Sequence, residues 1–247
     1  MIKQKKSTID QSEIDKFSAM AEEWWDPKGK FVTLHKFNPC RLDYIREKAI
    51  KHFKLDVKSL TALKGLKIID IGCGGGLISE PVAKMGAEVT AIDAGEKNIE
   101  IAKIHAQKSG LKINYVKSSV EDLDKKYQAN FDVVLALEIV EHVSDVEDFI
   151  KESTKLLKPN GLLFIATLNR TIKSLITAKI GVEYILRWLP KGTHDWRKFV
   201  KPYQILKIAE SNDVNFQEIC GFKYNILKDE WSRSRDNDIN YMIVFKR

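Results

Sequence analysis

From residue 67 onward two rhythms of apolar positions alternate along the chain: short continuous runs, then stretches where apolar residues return every three or four positions. The first rhythm marks buried strands and the second amphipathic helices. Strands are expected at Lys67 to Ile71, Glu88 to Ile92, Ile113 to Lys117, Phe131 to Leu135, Leu162 to Thr167, Phe216 to Tyr224 and Tyr241 to Lys246. The run Ile68, Ile69, Ile71 has the unbroken hydrophobicity of a strand covered on both faces. Helices are expected at Ile78 to Met85 and Lys97 to Ser109, each halted by a glycine, Gly86 or Gly110, where a left-handed cap belongs. Two more follow, Val146 to Leu157 before the turn Lys158-Pro-Asn-Gly161, and Pro202 to Ser211. This alternation predicts an α/β fold, a Rossmann-like doubly wound and mostly parallel seven-stranded sheet with helices on both faces. Residues 1–60 are expected to form an N-terminal helical extension that covers the ligands, and 61–247 the main domain, interrupted by a basic amphipathic insert at about 171–199.

The first strand runs into Asp70-Ile-Gly72-Cys-Gly74-Gly-Gly76, and the second ends at Asp93. Glycines there permit a turn in which backbone approaches a ligand with no Cβ in the way. An acid about 20 residues on accepts hydrogen bonds from both hydroxyls of a ribose. A dinucleotide fingerprint requires glycine at position 77, where this chain has Leu77. The motif instead resembles the glycine motif of class I S-adenosylmethionine-dependent methyltransferases. That cofactor lacks a pyrophosphate, and Asp70 supplies a carboxylate near its ammonium and sulfonium charges. A glycine-rich first turn also occurs in α/β proteins with other tasks, so more of the chain has to agree.

With 247 residues and 44% hydrophobic content the chain can bury one sizeable core. Basic residues at the N-terminus precede no apolar stretch, and no run approaches a membrane span, so a soluble or peripherally attached protein is expected. Cys40, Cys73 and Cys220 have no metal-ligand spacing and suit a reduced cytoplasmic interior. The formal charge of +7 is uneven. Lys173 to Lys207 holds eight basic residues (Lys173, Lys179, Arg187, Lys191, Arg197, Lys198, Lys201, Lys207) against Glu183 and Asp195, a net +6. Within it Leu175, Ile176, Ile180, Val182, Ile185, Leu186 and Leu189 recur at helical spacing beside Trp188. That is the composition of an interfacial segment on an anionic membrane, and equally of a lid packed on the core.

Two further stretches carry a narrower resemblance. Phe17 to Ile45, with Ala21-Glu-Glu-Trp-Trp-Asp-Pro-Lys-Gly29 and Leu34-His-Lys-Phe-Asn-Pro-Cys-Arg41, resembles the N-terminal signature of the ubiquinone-biosynthesis O-methyltransferases. Leu137-Glu-Ile-Val-Glu-His-Val143 and Lys191-Gly-Thr-His-Asp-Trp-Arg-Lys-Phe199 resemble the same family. The resemblance implies S-adenosyl-L-methionine as methyl donor and ring hydroxyls of polyprenylated phenols and catechols as acceptors, at both O-methylation steps of ubiquinone synthesis. It also implies a cytoplasmic enzyme, peripheral on the inner face of the cell membrane, beside other enzymes of that pathway and without nucleic acid. Arg41 matches the family position that meets the cofactor, where a planar guanidinium binds the methionine carboxylate bidentately.

Ligands of open α/β sheets bind beyond the carboxyl ends of the strands. In the class I methyltransferases that the glycine motif resembles, the segment after the third strand flanks the adenine, which implies Ser119 and Val120 there; Leu137 is either packed on the adenosine or a core filler. Methyl transfer to oxygen needs a phenolate or nearly so, and a phenol of pKa ~10 is only about a thousandth ionised at neutral pH. Glu138, Glu141 and His142 have the i, i+3, i+4 spacing that shares one face of a helix. Two readings stand open there: the three ligate a divalent cation such as Mg, or His142 acts alone as general base. His194 is a weaker candidate for substrate contact, and Trp24-Trp25 is either a lid over the substrate or the docked face of an N-terminal helix. A nucleic-acid methyltransferase is disfavoured because Leu137-Glu-Ile-Val-Glu-His is unlike the loops that orient a base amine, and no RNA-binding motif is present.

Overall fold

The computed structural model describes residues 7–177 and 195–247. Two helices precede the sheet, α1 (Gln11–Ser18) and α2 (Val32–Phe53). Five parallel strands follow, β1 (Lys67–Ile71), β2 (Glu88–Asp93), β3 (Asn114–Lys117), β4 (Phe131–Leu137) and β5 (Leu157–Leu168). Between them run α3 (Ser79–Lys84), α4 (Glu96–Lys108) and α5 (Val146–Lys155). The chain closes with α6 (Ile172–Leu175), α7 (Pro202–Glu210), β6 (Asn215–Asn225), β7 (Glu230–Ser234) and β8 (Asn240–Lys246).

Strand order is β3-β2-β1-β4-β5-β8-β6-β7. The order reverses between β1 and β4, so the crevice beyond their carboxyl ends is where such a sheet binds ligands. β8 inserts antiparallel between β5 and β6. Core residues divide between two faces: Ile68, Val133, Leu135 and Phe164 pack on one, Ile69, Val134, Leu163 and Ile165 on the other. Adjacent residues of one strand thus enter opposite cores, as a doubly covered sheet requires.

Gly86 and Gly110 take the left-handed φ values expected of them, +94° and +66°. The sheet has eight strands, not seven. The eighth, β7, forms a hairpin with β6, and its sequence Glu-Trp-Ser-Arg-Ser offers one large apolar residue and no alternation to betray it. Lys158-Pro-Asn-Gly161 is a bulge inside β5, where Phe131 faces Leu157 and Val133 faces Leu162. Asp132, between those pairs, accepts from Lys158 Nζ at 2.9 Å and from the Lys67 backbone N–H at 2.8 Å.

Most of the insert, including Lys179, Ile180, Val182, Glu183, Ile185, Leu186, Arg187, Trp188, Leu189, Lys191 and His194, lies outside the described residues. Among those described, no helix is long and apolar enough to cross a membrane.

Candidate active site

The turn after β1 is held by the neighbouring strand. The backbone N–H groups of Gly72 and Cys73 donate to Ile92 O at 2.8 and 2.9 Å, and Gly74 N–H donates to Asp93 Oδ2 at 2.9 Å. Asp93 also accepts from Gly95 N–H at 2.7 Å and Asn98 Nδ2 at 3.1 Å, and burial pushes its carboxyl above the usual range. Asp70, at the end of β1, accepts from Ser79 Oγ at 2.6 Å, and burial pushes it up to about 6.

Gly72 and Gly74 have φ of +73° and +52°. Their missing side chains serve the protein as well as a ligand. A Cβ at Gly74 meets the Trp24 indole at 2.4 Å, and one at Gly72 meets Ile139 at 2.7 Å. Trp24 Nε1 donates to Asn98 Oδ1 at 3.0 Å and its ring stacks on Phe31 at 3.7 Å. Trp25 donates to Gly75 O at 2.9 Å and stacks on His105. Both tryptophans therefore fasten the N-terminal segment to the glycine turn, and Trp24 also lines the site.

Two cavities meet here. The first is lined by Gly72, Gly74, Asp93, Ser119, Val120 and Ile139. The second is largely apolar, with Phe31, Phe37, Leu77, Leu137 and Trp231 around Arg41, Asp70, Glu138 and Glu141. Phe17, Trp24, Gly72, Glu138 and His142 line both. Leu137 lines the second cavity and Ile139 the first. Arg41 is 2% exposed on α2, its Nη1 donates to Glu138 Oε1 at 3.0 Å, and a second contact reaches Asn38. Its Nε has no partner.

The segment after β4 is not the helix that its spacing suggested. Glu138 adopts φ +53°, donating its N–H to Ala166 O at 2.8 Å, and only a single 3-10 turn, Val140–His142, follows. A non-glycine residue in the left-handed region marks strain held by its surroundings. The three expected ligands consequently part. Glu138 pairs with Arg41, Glu141 accepts from Thr167 Oγ1 at 2.8 Å, and His142 Nδ1 lies 3.0 Å from Glu13 Oε2. Among the described residues no group of three or more His, Cys, Asp or Glu side chains is gathered as a metal site. Burial, and next the Glu138 carboxylate beside it, push Glu141 up to about 8.

Sequence reasoning expected a cover from residues 1–60 but missed the contacts that fasten it here. Thr8 donates to Glu121 through its N–H at 2.6 Å and its hydroxyl at 2.7 Å, and Ser144 N–H donates to Thr8 O at 2.9 Å. Glu13 on α1 meets both His142 and Lys198 Nζ, the latter at 2.9 Å, and these hold its carboxyl well below the usual range. Only the acidic face of a short helix announced them, a signal too common to single out.

The chain matches the family described as "Methyltransferase domain" over residues 69–165. It is 55% identical over 247 residues to the ubiquinone biosynthesis O-methyltransferase of Bartonella bacilliformis, covering 100% of this chain and 99% of the relative. The enzyme of the same name from Pelagibacter ubique is 54% identical over 240 residues, covering 97% and 98%. Among solved structures, the magnesium protoporphyrin IX methyltransferase from Synechocystis PCC 6803 with bound SAH is similar at a TM-score of 0.68 and 19% identity, covering 96% of this chain and 100% of that one. At that identity the likeness concerns the fold.

Proposed function

The chain belongs to the ubiquinone biosynthesis O-methyltransferases, and from that membership we propose how its two joined cavities divide the work. It is an S-adenosylmethionine-dependent O-methyltransferase of ubiquinone biosynthesis. The observation that carries the finer reading is the wall of Phe17, Trp24, Gly72, Glu138 and His142 common to both cavities. A methyl group passing from donor to acceptor crosses at that wall.

The residues present fit the donor. The unpartnered Arg41 Nε is a buried cation's free N–H, suited to the methionine carboxylate. Asp93, held by Gly74, Gly95 and Asn98, is oriented for the ribose, with Ser119 and Val120 beside the adenine and Leu137 and Asp70 toward the methionine end. Bound there, S-adenosylmethionine supplies a sulfonium methyl for in-line displacement by oxygen.

The chain's own task is to make that oxygen an anion. Bringing a phenol of pKa ~10 to 7 takes roughly 4 kcal/mol of selective stabilisation. His142 is the proposed base because it lines both cavities, and Glu13 at its Nδ1 orients the ring and stabilises the imidazolium once a proton arrives. A second reading rests on Glu138 and Glu141, two carboxylates crowded on one wall. A divalent cation such as Mg would need Glu138 released from Arg41, Glu141 from Thr167 and His142 from Glu13; held by the three it would lower the phenol pKa directly.

The apolar lining of the second cavity supports a polyprenylated phenol or catechol, at both methylation steps. The sequence division into a helical cover at 1–60, a domain at 61–247 and a lid at about 171–199 belongs to the same proposal. Ile172 and Tyr203, exposed beside Trp196 and Lys201, and the exposed Ile176 support contact of this side with an anionic membrane at the inner face of the cell membrane. Lys198 is committed to Asp10 and Glu13, and Arg197 to Asp195, so charge reversal at Arg187 and Lys191 is the cleaner test. Loss of liposome binding is expected; unchanged binding contradicts the membrane contact.

The deciding experiment is transfer of labelled methyl to a short-chain prenyl catechol, in chelator and after restoring magnesium, manganese or zinc. Ring O-methyl product supports the reading, and absence of product under every condition refutes it. Activity indifferent to chelator favours His142 as base; activity that metal alone restores favours the carboxylate site.

A further inference from the structure

Among the described residues, seven buried side-chain atoms lack a hydrogen-bond partner, on Thr33, Arg41, Tyr44, Glu80, Tyr115, Asn169 and Trp231. Three of these residues, Thr33, Arg41 and Trp231, line the second cavity. Buried polar atoms without a partner are uncommon, and several around one cavity point to a ligand that supplies the missing partners. The methyl donor's carboxylate accounts for Arg41 Nε, leaving Thr33 Oγ1 and Trp231 Nε1.

These two groups sit on one continuous surface. Thr33, Phe37 and Arg41 follow one another at i, i+4 and i+8 and so share a face of α2. The Arg41 guanidinium lies 4.5 Å from the Phe37 ring centre, and Trp231 of β7 stacks on the same ring at 4.3 Å. Arg41 at one end of this face stands by the donor. Thr33, two helical turns and about 12 Å away, stands beyond it, with Trp231 alongside Phe37 between them.

We infer that Thr33 and Trp231 hold the ring oxygen of the acceptor that is not being methylated, and so select phenols carrying a second oxygen. This rests on the O-methyltransferase reading of the cavity. An indole N–H only donates, so its partner must be an acceptor; a threonine hydroxyl both donates and accepts. A neighbouring hydroxyl satisfies both, and a methoxy oxygen accepts from either. A ring with a single hydroxyl satisfies neither, leaving both atoms as they are in the free protein. The pair thus accepts a ring whose second oxygen is free or already methylated, which one site serving two methylation steps requires. It also gives β7 a function in the reaction, as the element that brings Trp231 against α2.

Trp231→Phe removes the N–H and keeps a ring against Phe37; Thr33→Val removes the hydroxyl at nearly constant shape. Each is measured with a short-chain prenyl catechol and the matching monophenol, together with affinity for S-adenosylhomocysteine. Each variant should lose about fivefold to tenfold in kcat/KM on the catechol, the weight of one neutral hydrogen bond, with the monophenol and the nucleoside affinity unchanged. Equal losses on both phenols, or no loss on either, overturn the assignment. A wild-type protein that methylates neither phenol overturns the function reading and this assignment with it, an outcome distinct from the other two.

Discussion

The two cavities that meet at Gly72 are built in different ways. The first is floored by backbone turns at the ends of adjacent parallel strands, Gly72, Gly74, Asp93 and Ser119 among them, and closed over by the N-terminal segment from Thr8 to Trp24. The second is made of side chains from α2, the bend after β4 and the β6–β7 hairpin, which no short sequence spacing connects. In the proposed division, the generic half of the reaction, holding the nucleoside, falls to the first and the selective half to the second. Local construction makes a site recognisable, and non-local construction makes it specific.

The strongest way to break the comparison is at Arg41, which lines the second cavity but is proposed to serve the donor. Arg41→Met leaves Glu138 and the buried acids facing each other unpaired, and stability should fall by about 3–5 kcal/mol in urea denaturation. The double variant Arg41→Met, Glu138→Gln should recover much of that loss, because the cost lies in the abandoned charge. His142→Gln, at the common wall, should lower kcat by about a hundredfold or more while affinity for S-adenosylhomocysteine holds. Equal loss of both contradicts a role in proton transfer.

Gly74→Ala sharpens the comparison from the first cavity. Its Cβ strikes the Trp24 indole at a left-handed φ, whereas Gly65 has φ +89° with nothing within 4 Å of the added carbon. Gly65→Ala should cost about 1 kcal/mol of stability and leave nucleoside binding intact. Gly74→Ala should cost more, about 2–3 kcal/mol, and weaken binding of S-adenosylhomocysteine by tenfold or more in calorimetric titration.

The last test concerns pH. Glu141 has its folded pKa raised to about 8 from an ordinary 4.5, so the native state binds its proton more tightly than the unfolded chain does. Its contribution to stability is complete below the unfolded value and is lost as pH rises toward 8. Glu141→Gln removes that loss. Relative to wild type the variant should hold its stability better as pH rises from 4.5 to 8, read from denaturant midpoints at both ends.

What could be read from the chain follows the same division. Glycine caps at Gly86 and Gly110, the turn at Gly72 and the acid at Asp93 are each set by local backbone need, and each lies where spacing placed it. Glu138 shows the opposite. Nothing in its neighbourhood announces a left-handed glutamate, so helical spacing grouped it with Glu141 and His142 although the chain turns away. Pro39 lies inside α2 despite forfeiting its N–H, because Phe37, Leu42, Tyr44 and Ile45 bury the helix against the sheet. β7 pairs with β6 through backbone bonds and carries mostly polar residues, so hydrophobic rhythm has no purchase on it. Glu13 reaches His142 across 129 residues, a distance at which only the folded chain brings partners together.

The most direct test of the division takes one residue from each cavity, Asp93 and Trp231. Asp93→Asn and Trp231→Phe are assayed for S-adenosylhomocysteine affinity by calorimetry and for KM of a short-chain prenyl catechol. Asp93→Asn should weaken the nucleoside by about tenfold with little change in catechol KM, and Trp231→Phe should do the reverse. If Trp231→Phe weakens the nucleoside as much as the catechol, or Asp93→Asn weakens the catechol alone, the two cavities do not hold donor and acceptor as assigned.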